Sequence, residues 1–156
     1  MKTAVLRRAD SAELIETART LFREYEKSLG ISLCFQNFAE EVASLPGDYA
    51  PPNGRLLIAF VGRRPAGCVA LRKIGEGVAE LKRLYVRLGF RGMRIGRRLT
   101  EEVLADARSI GYRSVRLDTL PTMKAAQALY VSLGFVDIAP YNDHPVAGTR
   151  FMEKRL

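Results

Sequence analysis

Leu84-Tyr85-Val86-Arg87-Leu88-Gly89-Phe90-Arg91-Gly92-Met93-Arg94-Ile95-Gly96-Arg97-Arg98-Leu99 passes from a β-rich run, through a turn rich in glycine and arginine, into a helical pattern. Ile95, Leu99, Val103, Ala107 and Ile110 share one helix face, and Gly111 stops the helix. The first turn of a helix has N–H groups with no intrahelical partner, and the macrodipole makes that end positive. Gly92 and Gly96 allow close backbone approach, so the turn suits a pyrophosphate held on main-chain amides. Lys82, Arg83, Arg87, Arg91, Arg94, Arg97 and Arg98 put seven positive charges and no acid between positions 82 and 98, out of a formal net charge of +8. So short a basic segment points to a compact anion rather than to nucleic acid or a membrane surface.

Working outward, residues 3–8 read as a strand. Asp10 and Glu13 have capping-box spacing ahead of Leu14, Ala18, Leu21, Phe22, Tyr25 and Leu29 at helical intervals. A shorter helix is predicted from about Phe35 to Leu45, ended by Pro46-Gly47, with a loop through Gly54. Leu56–Val61, Ala66–Ile74 and Val78–Val86 are β-rich and joined by hairpin-type connections, which gives an antiparallel meander. Val115–Thr119 follows the Ile95–Ile110 helix, so a strand, a crossover helix and a strand imply a parallel pair with a right-handed connection. Thr122 is the expected N-cap of a helix with Met123, Ala126, Tyr130 and Leu133 on its inner stripe. A short strand reaches Ile138, the segment 140–148 is a loop, and Thr149–Lys154 is the last strand. The expected fold class is α/β (α+β): a mixed, mostly antiparallel sheet of about seven strands with helices on both faces, in one domain spanning 1–156.

Composition agrees with a globular chain, at 47% hydrophobic and 27% charged residues. No apolar run approaches the roughly 20 residues that span a bilayer, and residues 1–8 lack an apolar stretch of signal-peptide length. Cys34 and Cys68 are too few for a disulfide framework and are expected to be buried small hydrophobes. The expected compartment is the cytoplasm.

The turn resembles the acetyl-CoA signature of the GNAT N-acetyltransferase superfamily, Gln/Arg-x-x-Gly-x-Gly/Ala, here Arg91-Gly92-Met93-Arg94-Ile95-Gly96. Arg94 stands in place of the first signature glycine. Either the turn keeps Arg94 right-handed, or the arginine trades backbone freedom for a further phosphate contact. Glu80-Leu81-Lys82-Arg83-Leu84-Tyr85-Val86 is similar to the family's central strand, where a bulge exposes backbone groups to pantetheine and thioester. Ala125 through Phe135 resembles the late helix that commonly ends Tyr-x-x-x-Gly-Phe, with Met123 where many members have Asn. The strongest match covers residues 80–135.

The resemblance implies an acyl-CoA-dependent N-acetyltransferase that uses acetyl-CoA as co-substrate, no metal, and a primary amine, on a small molecule or a peptide, as acceptor. Leu84, Tyr85, Val86, Arg91, Gly92, Met93, Arg94, Ile95, Gly96, Arg97, Met123 and Ala126 would hold the cofactor, with the Leu84 and Val86 amides polarising the thioester. Glu80 is the candidate general base; its plain alternative is a solvated strand carboxylate paired with Lys82, two residues on along the same face. Tyr130 is the candidate acid for the departing thiolate, against a core tyrosine. Tyr25, Phe35, Tyr141 and Asp143 are candidate acceptor contacts, and Asp48 and Asp143 hint at a cationic acceptor. His144 reads as an exposed loop histidine. Cys34 and Cys68 lack an identifiable base, so direct transfer in a ternary complex is expected rather than an acyl-enzyme. A non-catalytic acyl-CoA-binding sensor of the same fold is the alternative. Homodimers are common among relatives, and the sequence leaves that open.

Overall fold

The computed structural model describes residues 3–156. Strands β1 (Ala4–Arg8), β2 (Arg55–Val61), β3 (Arg64–Gly75), β4 (Val78–Val86), β5 (Ser114–Thr119), β6 (Val136–Asp137) and β7 (Arg150–Arg155) form one seven-stranded sheet in the order β1-β2-β3-β4-β5-β7-β6. Only β4 and β5 run parallel; every other pairing is antiparallel. Helices α1 (Ala12–Leu29) and α2 (Phe38–Ala43) cover one face, and α3 (Ile95–Ile110) and α4 (Lys124–Ser132) cover the other.

Two cores follow. One packs Leu99, Val103 and Ala107 of α3 on Val69, Leu71, Val115 and Leu117 of the sheet. The other packs Leu21 and Phe22 of α1 with Phe38, Tyr49 and Ile58. Phe22 is fully buried, stacked on Phe38 at 6.5 Å and edge-on to Tyr49 at 6.1 Å. Burial of such a ring contributes about 1.5–3 kcal/mol.

Several local expectations shift. Ser11 caps α1 instead of Asp10: its backbone is extended at φ -133°, ψ 159°, and its Oγ accepts the Leu14 N–H at 3.2 Å. The second helix is split, since Asn37 adopts φ 55° between a 3-10 turn at Cys34–Gln36 and α2. Thr122 does not cap α4. Met123 holds that position, and the buried Gln127 side chain ties the helix start down by donating to the Leu120 carbonyl at 2.7 Å. Cys68 is buried as expected, whereas Cys34 is exposed because the 3-10 turn carries it to the surface.

Candidate active site

β4 and β5 pair only from Val78/Ser114 to Glu80/Arg116, after which they diverge. A bulge causes this. Opposite β3, the register jumps between Cys68↔Tyr85 and Ala70↔Lys82, and Arg83 sits there at φ 61°. Lys82 and Arg83 therefore point to the same side, toward α1 and α2. Gly67 permits the close approach, since a Cβ at that position would stand 2.4 Å from the Tyr85 carbonyl oxygen. Arg87 donates its N–H to Ala66 of β3 at 2.8 Å. By strand alternation the Val86 and Leu84 N–H groups face away from β3, into the opening.

That opening is a cleft of about 560 Å³ between the end of β4, the start of α3 and the start of α4. Ten of the twelve expected cofactor residues line it: Leu84, Tyr85, Val86, Arg91, Gly92, Arg94, Ile95, Gly96, Met123 and Ala126. Met93 and Arg97 do not. Met93 turns partly outward, and Arg97 donates to Ser132 of α4 at 2.7 Å. Lys124, at the start of α4, lines the cleft without having been anticipated.

The basic segment divides in two. Arg83 is bidentate to Glu41 at 2.9 Å on each bond, Arg87 is bidentate to Glu24 at 2.9 and 2.7 Å, and Arg98 donates to the Ala4 carbonyl. Those arginines hold the helices to the sheet. Arg91 and Arg94 are what the segment offers to an anion in the cleft.

Arg94 adopts φ 60°, ψ 23° as the residue before α3, so the turn is left-handed. A non-glycine residue there costs about 1–2 kcal/mol, partly offset in comparisons with glycine by the latter's greater freedom in the unfolded chain, roughly 0.5–1 kcal/mol. Arg94→Gly is accordingly expected to raise unfolding free energy by up to about 1 kcal/mol and to weaken CoA binding about tenfold through loss of a charge-assisted contact. Urea denaturation and calorimetry together test this; unchanged CoA affinity would remove the Arg94 side chain from the site.

Where β4 and β5 separate lies a small cavity of about 30 Å³, bordered by Lys82, Leu84, Asp118, Thr119, Tyr130 and His144. Tyr130 is 4% exposed and packs on Phe135 at 5.6 Å. Burial, reinforced by Tyr25 and Asp118, pushes its phenol well above the usual tyrosine range, so it stays protonated at neutral pH. The Thr119 Oγ1 is buried with no hydrogen-bond partner among the described residues.

A polar cavity of about 280 Å³ adjoins this one, sharing Gln36, Lys82 and His144 with it. Glu80 lines it at 2% residue exposure, so it is not a solvated strand carboxylate. Its Oε1 accepts from Arg72 at 2.9 Å, its Oε2 accepts from the Tyr141 hydroxyl at 2.7 Å, and Lys82 stands 3.8 Å away. Lys82 donates to Gln36 Oε1 at 3.1 Å, and burial, opposed by Glu80, holds its ammonium below the usual lysine range. Phe35 and Asp143 line this cavity, and Tyr141 closes on it through Glu80. Tyr25 lies elsewhere, between the small cavity and the larger cleft, its phenol pushed up to about 12 by burial. His144 is half-buried rather than exposed, edge-on to Phe35 at 4.9 Å, with Nδ1 accepting the Val146 N–H at 3.2 Å.

Arg72, Gln36 and Asp118 are site residues that sequence reasoning missed. Arg72 was reachable, since counting back from the Gly75-Glu76-Gly77 turn sets it opposite Glu80. Asp118 follows from β5 alternation, which buries Val115 and Leu117 on one face and turns Arg116 and Asp118 to the other.

Comparison with known proteins gives concordant results. The model of the acetyltransferase (GNAT) family matches residues 14–135. An uncharacterized N-acetyltransferase of Schizosaccharomyces pombe is 38% identical over 144 residues, covering 91% of this chain and 88% of that protein. An acetyltransferase of Streptococcus agalactiae superposes with a TM-score of 0.82 over all of both chains at 22% identity. PaiA N-acetyltransferase from Thermoplasma acidophilum, solved in complex with coenzyme A, superposes with a TM-score of 0.72 over 99% of both chains, also at 22% identity.

Proposed function

We propose, from the premise that this chain belongs to the GNAT acetyltransferase family, that residues 1–156 act as one domain moving an acetyl group from acetyl-CoA to a primary amine by direct attack in a ternary complex. Membership makes it an acyl-CoA-dependent acetyltransferase; acceptor and mechanism are the inferred part. The observation that carries the reading is the cleft itself. It runs from the Arg91–Gly96 turn, where a helix N-terminus and two arginines suit a pyrophosphate, to the bulged strand whose Leu84 and Val86 amides face the opening.

Three steps need groups in place. The acceptor must attack as a free amine, since an ammonium with a reference pKa of about 8–10 has no lone pair. Glu80 receives its proton through water at the edge of the polar cavity. As nitrogen bonds to the thioester carbon, the carbonyl oxygen gains charge, and the Leu84 and Val86 N–H groups stabilise it. The carbon–sulfur bond then breaks, Tyr130 gives its proton to the sulfur, and the nitrogen's second proton passes back to the Tyr130 phenolate through water, leaving a neutral amide and free CoA thiol. Cys68 is buried with its thiol pushed far up, chiefly by burial, which supports a route without an acyl-enzyme.

Thiol release from acetyl-CoA across an amine panel tests the activity, and intersecting initial-velocity lines are expected. Parallel lines, or acetyl-cysteine formed from acetyl-CoA alone, would overturn the direct route. Glu80→Gln should lower kcat by about 10²–10⁴-fold, with KM for acetyl-CoA near wild type. A fall in stability with kcat unaltered would make Glu80 an anchor for Arg72 and Tyr141 instead of a base.

A further inference from the structure

We infer that the acceptor is a zwitterion of α-amino-acid type, its carboxylate received by Lys82 and Arg72 and its amine facing Asp118. This rests on the transferase reading and narrows it. Charge accounting in the polar cavity is the starting point. Glu41 is fully engaged by Arg83 through two bonds of 2.9 Å. Each oxygen of Glu80 already accepts one bond, from Arg72 at 2.9 Å and from Tyr141 at 2.7 Å. Lys82 is left with a neutral amide at 3.1 Å and a carboxylate at 3.8 Å, outside hydrogen-bond reach. Its side chain is only 10% exposed, so an ammonium with three donors sits desolvated and under-matched. Arg72 lines the cavity and keeps donors on its remaining amino group, whose carboxylate neighbour Asp48 stands 3.9 Å away and is 81% exposed. The acidic residues that hinted at a cationic acceptor therefore lie at the rim, where solvent screens them.

Across the gap the imbalance has the opposite sign. Asp118 on β5 accepts from the Asn142 side-chain amide at 2.9 Å; Lys82 faces it across the small cavity and feels its charge, but the two make no ion pair within 4.0 Å. It lines the small cavity beside the unpartnered Thr119 hydroxyl, Tyr130 and Leu84, where the reacting carbonyl would lie. Lys82 belongs to both cavities. A ligand whose amine occupies the small cavity can therefore set a carboxylate, two bonds away, on the Lys82 side. A diamine would place a second cation against Lys82 and Arg72, and a neutral amine would leave Lys82 unmatched.

The decisive measurement is thiol release from acetyl-CoA with the free amino acids, their C-terminal amides, and putrescine. The best free amino acid should exceed its own amide in kcat/KM by about tenfold or more, as expected for a desolvated charge-assisted contact. Lys82→Met should lower kcat/KM for that amino acid by about tenfold more than for its amide, erasing the preference. Amides or putrescine turning over as well as free amino acids, or Lys82→Met affecting both classes equally, would overturn the inference. Acetylation confined to carboxylate-free amines refutes it while leaving the transferase reading intact. Absence of thiol release from every amine refutes both.

Discussion

Tyr130→Phe is expected to lower kcat by about 10²–10⁴-fold while leaving acetyl-CoA affinity and stability near wild type. The hydroxyl opens on the small cavity where β4 and β5 part, and the ring is fixed by Phe135 and the α3 core. Removing one oxygen keeps that packing, so a core tyrosine would give a variant with ordinary turnover. A catalytic phenol would not. The leaving thiolate, with a thiol reference pKa near 8.5, is stable enough to depart slowly unprotonated, and the variant should keep residual activity. Burial raises the Tyr130 pKa, so its protonated form is lost only at strongly alkaline pH. Any neutral-range limb in the wild-type kcat profile should therefore persist in Tyr130→Phe. Normal kcat would reduce Tyr130 to a packing residue; loss of thermal stability matching the loss of rate would do the same.

The fold was largely legible because its signals are local and periodic. Val78–Val86 and Ile95–Ile110 have the predicted bounds, since alternation and a 3.6-residue stripe each meet a clear stop at Gly77 or Gly111. Ends governed by a single cap were less readable: Asp10 and Ser11 are adjacent and both competent caps, and the start of α1 falls one residue later than the capping-box spacing predicts. The cleft lining was legible in part for the same reason, since eight of the expected residues lie in the contiguous stretch 84–96. The acceptor side was not. Arg72, Glu80, Asp118, Gln36 and His144 lie on separate elements, and their grouping depends on a bulge that places Lys82 and Arg83 on one face. Charge counting misled for a related reason. Arg83 and Arg87 look like anion ligands in sequence, but α1 and α2 supply Glu24 and Glu41 to consume them.

That consumption makes Arg83 a point of failure in the structure. Arg83→Met is expected to lower unfolding free energy by about 3–5 kcal/mol. Its side chain is 3% exposed and that of Glu41 17%, so little solvent screening reduces the pair, and the guanidinium also lies 5.0 Å from the Phe38 ring centroid. Truncation leaves the Glu41 carboxylate facing the polar cavity with its two donors gone. For a chain of this size each kcal/mol moves Tm by roughly 2–4 °C, which gives a fall of about 6–20 °C. Methionine has a Cβ as arginine does, so the substitution relieves none of the strain at φ 61° and nothing is returned there. The double variant Arg83→Met/Glu41→Leu should recover at least half the loss, since neither charge is then buried alone. The same bulge aims the Leu84 and Val86 amides, so Arg83→Met should also raise KM for acetyl-CoA at temperatures where it is folded. A loss under about 1 kcal/mol in urea titration would show that backbone pairing on β3 alone holds the bulge, and the amides would then need no arginine to keep their aim.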